Sequence, residues 1–167
     1  MTIVHKLADE QVSSVAAFLN TCWRVAYAGL LDADFLAGLT TEDRAARLHH
    51  KIDLGAQGMV AQAVDGQIIG VTVFGPPHLK QLVGAGQIDM LYVHPDRIGT
   101  GLGHHLLNLA EANLRELDYR IVGLDVFSAN HQGVSFYKDH GYNRTGGKVD
   151  VIEGVEYPLD IMSKRIV

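Results

Sequence analysis

The sequence predicts an α+β fold built on a mixed, mostly antiparallel sheet with helices on both faces. Three observations lead there. Helical patterns fill the first third of the chain before most of the strands appear. Tight turns join strands at Asp65-Gly66 and at Glu153-Gly154. Between those turns, a strand, a glycine-rich loop and a helix follow one another from Gln87 to Leu107. This is not an evenly alternating strand-helix series, so a doubly wound parallel sheet is disfavoured.

Taken in order, Thr2 to Lys6 is β-prone. Asp9 is placed to cap a first amphipathic helix whose apolar side carries Val12, Val15, Ala16, Leu19, Trp23 and Ala26, with Gly29 at its end. Asp32 to Leu39 suggests a short second helix. Thr40-Thr41-Glu42-Asp43 starts a third, on which Ala45, Leu48 and Ile52 share a side. Met59 to Val64 and Gln67 to Phe74 form a hairpin, because Asp-Gly supplies the positive φ angles of a tight turn. Gly75-Pro76-Pro77 ends it, and His78 to Gly86 is expected to be a loop that touches the substrate site.

Ile88 to Val93 is an apolar strand stopped by His94-Pro95. The helix from Gly101 to about Leu117 follows, then a strand at Ile121 to Phe127 and a short helix at Gln132 to His140 stopped by Gly141. Strands at Tyr142 to Ile152 and Glu156 to Lys164 close the chain. No internal repeat or linker marks a second domain, so residues 1–167 are expected to form one.

Composition narrows the function classes. A net charge of −5 gives no overall basic field to draw the protein onto nucleic acid or an anionic membrane, and mildly favours a cationic substrate. The one cysteine, Cys22, excludes an intrachain disulfide and a four-cysteine zinc site, and its apolar helical setting points to core packing. The adjacent pairs His49-His50 and His104-His105 point about 100° apart on a helix, so neither chelates one ion from one face, and no metal is expected. His78 and His94 remain candidates to line a cleft, against surface positions. Without a long apolar segment near the N-terminus, a cytoplasmic protein is the expectation.

Gly99-Thr100-Gly101-Leu102-Gly103, between a strand and a helix, suits an anion: converging N–H groups and the positive helix end attract a phosphate. It is not a nucleotide-binding P-loop, which needs Gly-Lys followed by Ser or Thr. Nor is it a dinucleotide fingerprint, which needs a third glycine where His104 stands.

Two further patterns identify the ligand. Val93-His94-Pro95-Asp96 leads into the glycine loop, and Leu124-Asp125-Val126, Asn130, Phe136-Tyr137 and Gly141-Tyr142 follow about thirty residues later. In these motifs, and in Trp23-Arg24-x-x-Tyr27-x-Gly29, the chain resembles the GNAT superfamily of acyl-CoA-dependent N-acyltransferases over nearly its whole length. One departure is Ile98, where Gln or Arg is usual, with Arg97 one place early.

The resemblance implies a three-layer fold in which the strands Ile88–Val93 and Ile121–Phe127 splay to admit the acyl-CoA arm. It implies acetyl-CoA as co-substrate, its pyrophosphate on the backbone of Ile98, Gly99, Thr100, Gly101, Leu102, Gly103 and His104. The pantetheine would lie along Leu91, Tyr92 and Val93 and against Asn130, which equally suits a helix N-cap. Tyr137 would be the general acid facing the sulfur. An amine acceptor with a lysine-like pKa of ~10 must lose a proton before it attacks. For the base, Asp125 stands five residues before Asn130, where some protein N-terminal acetyltransferases carry a glutamate. Gln87 stands where the histone-acetylating branch has one, with Asp89 as its substitute on the same strand face. For either aspartate the alternative is an orienting carboxylate with a water chain removing the proton.

Trp23 and Tyr27 come from helices that flank the acceptor cleft in this superfamily, although an aromatic pair at that spacing also suits a core. The expected reaction is direct acetyl transfer to a primary amine of a small, polyamine-like or drug-like molecule. Alternatives are another acyl group, a protein or peptide acceptor, or a catalytically silent acyl-CoA-binding regulatory module. Dimers are common in the superfamily, which leaves a homodimer open.

Overall fold

In the computed structural model, which describes residues 1–167, the strands are β1 (Thr2–Lys6), β2 (Gln57–Ala63), β3 (Ile68–Gly75), β4 (Gly86–Val93), β5 (Ile121–Phe127), β6 (Asn143–Ile152) and β7 (Val155–Arg165). The helices are α1 (Val12–Ala26), α2 (Ala33–Ala37), α3 (Thr41–Asp53), α4 (Leu102–Glu116) and α5 (His131–Asp139). One seven-stranded sheet has the order β1-β2-β3-β4-β5-β7-β6. Every neighbour pair is antiparallel except β4 with β5. No helix is long and apolar enough to cross a membrane.

Helical spacing sets the two layers that cover the sheet. On one face Val12, Val15 and Leu19 of α1 and Leu48 of α3 pack on Val60, Val71, Val73 and Met90. On the other, Leu107, Ala110 and Leu114 of α4 pack on Phe74, Ile88, Val122 and Leu124. Burying one such leucine contributes roughly 1.5–3 kcal/mol, so these stripes hold the strands between them firmly. Glu111 lies inside the α4 layer, where Lys164 Nζ at 3.0 Å and the Tyr142 hydroxyl at 2.9 Å donate to its carboxylate.

Two irregularities shape the site. The β3–β4 register passes from Val73↔Met90 to Phe74↔Ile88, leaving Asp89 as the extra residue of a bulge, which bends and twists β4. In addition, β4 pairs with β5 only at Gly86↔Val122 and Gln87↔Gly123. Beyond that point β5 continues along β7 as far as Phe127 while β4 continues along β3. The two strands therefore diverge into the expected fork.

Local signals held where their chemistry is local. Asp32 and Thr40 cap α2 and α3 by accepting from Phe35 N at 3.0 Å and Asp43 N at 3.2 Å. Glu153 and Gly154 both have positive φ, 50° and 78°, as the tight turn between β6 and β7 requires. Asp9 does not cap α1: it lies in a 3-10 turn, Asp9–Gln11, that precedes the helix. Gln11 folds back to accept from Ala8 N at 3.3 Å. Tyr142 is not in β6 but in the turn before it, where its ring is buried.

Candidate active site

The fork opens into a cavity of about 590 Å³, lined by β4 from Ile88 to Val93, β5 from Leu124 to Phe127, the end of α1, the glycine loop and α5. Beyond Gln87 the fork-side peptide groups of β4 have no partner strand; Leu91, Tyr92 and Val93 all line the cavity, with the peptide groups of Leu91 and Val93 turned toward the fork and those of Tyr92 paired with Val71 of β3.

At one end lies the glycine loop. Pro95 starts a short 3-10 turn, closed where the Thr100 hydroxyl donates to Arg97 O at 2.6 Å. Gly99 and Gly101 then take φ values of 81° and 89°, a region side chains rarely adopt, and Gly101 sits at the N-cap of α4. As a result the N–H groups of Gly99, Gly101, Leu102, Gly103 and His104 have no acceptor within the chain. Such an array at a helix N-terminus fits a phosphate. Ile98 is extended and half-exposed, and both it and Arg97 line the cavity. Gly103 has no positive φ, and a Cβ there would meet Phe136 at an ordinary 3.5 Å.

From the same side of the sheet, α5 presents Tyr137. Asn130 fixes the start of this helix by accepting from Gly133 N at 3.1 Å, and also lines the cavity. The Tyr137 ring stacks edgewise on Phe136 and Tyr142, with centroids 5.2 and 5.6 Å away. Its hydroxyl makes no hydrogen bond within the chain. Burial pushes the phenol above its ordinary pKa, and Tyr27 and Asp125 add to the shift. Tyr137 therefore keeps its proton at neutral pH. His140, one turn on, sends Nδ1–H to Phe136 O at 2.6 Å and meets His104 Nδ1 at 2.8 Å through Nε2, which ties α5 to the first turn of α4.

Both candidate bases lie on the opposite, α1-side face. Since Gln87 pairs with Gly123, Asp89 and Asp125 stand level across the fork. Asp89 is 5% exposed, and its Oδ1 meets Lys51 Nζ at 3.4 Å, Gln87 Nε2 at 3.2 Å and His78 Nε2 at 3.2 Å. Its Oδ2 makes no hydrogen bond within the chain, and the residue lines the cavity. Burial pushes Asp89 above the usual aspartate range, Lys51 and His78 pull it back, and the charge of Asp125 opposes them. Asp125 is 25% exposed, with Lys148 Nζ 3.0 Å from its Oδ2. Lys148 also meets Asp150 at 3.1 Å. Burial works against the lysine's charge, but the two carboxylates outweigh it and raise its pKa.

Trp23 and Tyr27 reach the cavity too. The Tyr27 and Tyr92 hydroxyls are 2.8 Å apart, and Trp23 lies under the Arg44 guanidinium at 4.3 Å. Cys22 is buried, its thiol pushed up to about 12 by desolvation, as core packing implies.

The sequence did not reveal Lys51, Lys148 or Asp150, whose neighbours come from distant strands and helices. Gln87 carried a signal, a polar residue in an apolar run. Its Oε1 accepts from His78 N at 3.0 Å and Leu79 N at 3.2 Å, so it clamps the β3–β4 connection. That connection was expected to touch the substrate site. Instead it carries a 3-10 turn, Lys80–Leu82, and approaches the cavity only through His78 against Asp89. His94 faces its own turn, accepting from Asp96 N at 3.2 Å.

Solved structures with this architecture include PaiA N-acetyltransferase from Thermoplasma acidophilum in complex with coenzyme A, at 21% identity and TM-score 0.74, covering 99% of each chain. YncA from Salmonella typhimurium, with its cofactor acetyl-CoA, shares 19% identity at TM-score 0.75, covering 100% of this chain and 95% of its own. Ribosomal-protein-alanine N-acetyltransferase from Brucella melitensis shares 19% identity at TM-score 0.74, covering 98% of this chain and 99% of its own. No curated protein sequence matches the chain. The family described as Acetyltransferase (GNAT) family matches residues 23–142, from Trp23 through the glycine loop to Tyr142. That stretch is well over half of the sequence, and the chain belongs to the GNAT acetyltransferase family.

Proposed function

We propose that the protein transfers acetyl from acetyl-CoA directly to a primary amine of a small cationic molecule. The observation that carries this reading is the fork itself. It joins the unbonded N–H groups of Gly99, Gly101, Leu102, Gly103 and His104 at one end to the free Tyr137 hydroxyl and Asp89 Oδ2 at the other. The two solved neighbours holding coenzyme A and acetyl-CoA support the choice of ligand.

Each group of this chain then has a task. The glycine-loop amides and the α4 N-terminus hold the pyrophosphate, with Arg97 compensating for Ile98. Free peptide groups of Leu91 and Val93 align the pantetheine arm, and one N–H faces the thioester oxygen as it gains charge. Asp89, kept basic by burial yet held anionic by Lys51, takes the ammonium proton at Oδ2. The amine nitrogen bonds to the acyl carbon as the C–S bond breaks, and the proton this nitrogen then sheds passes to the departing thiolate, leaving the amide and the coenzyme A thiol. Tyr137 donates to the departing sulfur and, holding its proton more tightly than a thiol does, acts mainly by that hydrogen bond. Asp125, more exposed and paired through Oδ2 with Lys148, orients the amine rather than deprotonating it. The aromatic wall of Trp23, Tyr27 and Phe127, together with these carboxylates, suits a cation with an apolar body.

Thiol release from acetyl-CoA across a panel of primary amines tests the reading. Turnover is expected with at least one small cationic amine, and Tyr137→Phe should lower kcat about 10- to 100-fold. Acetyl-CoA binding without turnover on any amine would replace the enzyme with a binding module.

A further inference from the structure

We infer that Tyr27 and Tyr92, paired through their hydroxyls on the α1-side face of the fork, set the length of acyl chain the protein accepts, admitting acetyl and excluding chains as long as hexanoyl. The inference rests on the acyl-CoA reading and adds the acyl class, which the glycine loop and Tyr137 leave open.

Tyr27 belongs to the end of α1, yet it spans both arms of the fork. Its hydroxyl meets Tyr92 of β4 at 2.8 Å, and its ring stands edgewise on Phe127 of β5 with centroids 5.1 Å apart. Tyr137 comes from α5 on the opposite face, packed in the α4-side core, whereas Tyr27 and Tyr92 belong to the α1-side clusters. A chain threaded between the strands past Tyr137 therefore runs toward the Tyr27–Tyr92 pair.

The pair is also hard to displace. Trp23 stands edgewise on Tyr27 at 4.9 Å and is itself covered by Arg44, which donates to Asn20 at 3.0 Å. Tyr27 is only 6% exposed. A longer chain would have to part the hydroxyls and leave them unpaired among rings, while an acetyl methyl stops short of them. Rigid packing makes such a wall sensitive to single methylenes.

Calorimetry with acetyl-CoA, butyryl-CoA and hexanoyl-CoA tests this without any acceptor amine. For the unmodified protein, hexanoyl-CoA should bind at least about tenfold more weakly than acetyl-CoA, with butyryl-CoA between. Tyr27→Leu and Tyr92→Leu should narrow that gap to about threefold or less. Tyr92→Phe keeps the ring and loses only the hydroxyl bond; it should narrow the gap partly and guards against a leucine variant that fails to fold, which thermal unfolding would show. Equal affinities in the unmodified protein, or an unchanged gap in folded variants, would overturn the inference. Graded affinities with no turnover on any amine would uphold it while removing the transferase reading.

Discussion

Two aspartates face each other across the fork, and their surroundings differ. Asp89 sits on the β4 bulge, nearly sealed, with Lys51 and Gln87 donating to Oδ1 and His78 Nε2 beside it at 3.2 Å. Asp125 sits on regular β5, a quarter exposed, with Lys148 on its outer oxygen. Burial makes Asp89 a stronger base than an ordinary aspartate. Asp125 pairs with Lys148 at the edge of solvent, where an ion pair is a weak and replaceable contact.

The largest expected effect comes from removing the buried carboxylate. Asp89→Asn keeps the shape and should lower kcat by about 10²-fold or more, the usual contribution of a positioned base. The acidic limb of the pH–rate profile should disappear with it. If Asp125→Asn produces that loss and Asp89→Asn does not, the comparison is reversed and β5 carries the base.

Next comes the cation that keeps Asp89 usable. Asp89 takes protons more readily than a free aspartate, so the active, ionised form is lost as pH falls through its raised value. Lys51, 3.4 Å away, opposes that rise. Lys51→Met should therefore move the acidic limb of kcat/KM to higher pH, with little change on the alkaline plateau. A limb left in place would mean that Lys51 acts only in packing α3 on the sheet.

How much of this was legible follows the same division. The ligand-holding half of the site is written in local chemistry. Glycines that need positive φ, the proline after β4, Asn130 at a cap and Tyr137 two turns on are fixed by spacing along one segment, and the structure places them around one cavity. The acceptor half depends on residues far apart in the chain. Lys51 meets Asp89 from α3, Lys148 meets Asp125 from β6, and Tyr27 meets Tyr92 across the sheet. No periodicity records such meetings. The bulge was hidden for a related reason: it arises from the register of β4 on β3 rather than from any residue in Ile88 to Val93. The misplaced start of α1 is a smaller case, where the glutamine at Gln11, not Asp9, satisfies the turn.

Asp125→Asn is expected to act about fivefold, and in KM for the amine rather than in kcat, since a partly exposed orienting carboxylate contributes little beyond binding. Steady-state kinetics at saturating acetyl-CoA separates the two. A loss confined to kcat would instead give Asp125 a part in the chemistry.

The smallest effect is the most specific to this arrangement. Lys148 holds two carboxylates, and they keep it charged above the ordinary lysine range, so its pairing stabilises the fold at neutral pH and fades only as pH climbs through that raised value. An incoming ammonium must compete with it for Asp125. Lys148→Met keeps the apolar stem and removes the competitor, so KM for a cationic amine should fall about two- to threefold while kcat holds. Unfolding should meanwhile move to slightly lower temperature, because Asp125 and Asp150 lose their shared cation. The fall in KM should vanish for a neutral amine analogue, which gains nothing from a freed carboxylate. An equal fall for charged and neutral acceptors would show that Lys148 blocks the cleft by bulk, and the electrostatic contrast between the two walls of the fork would then lose its role in recognition.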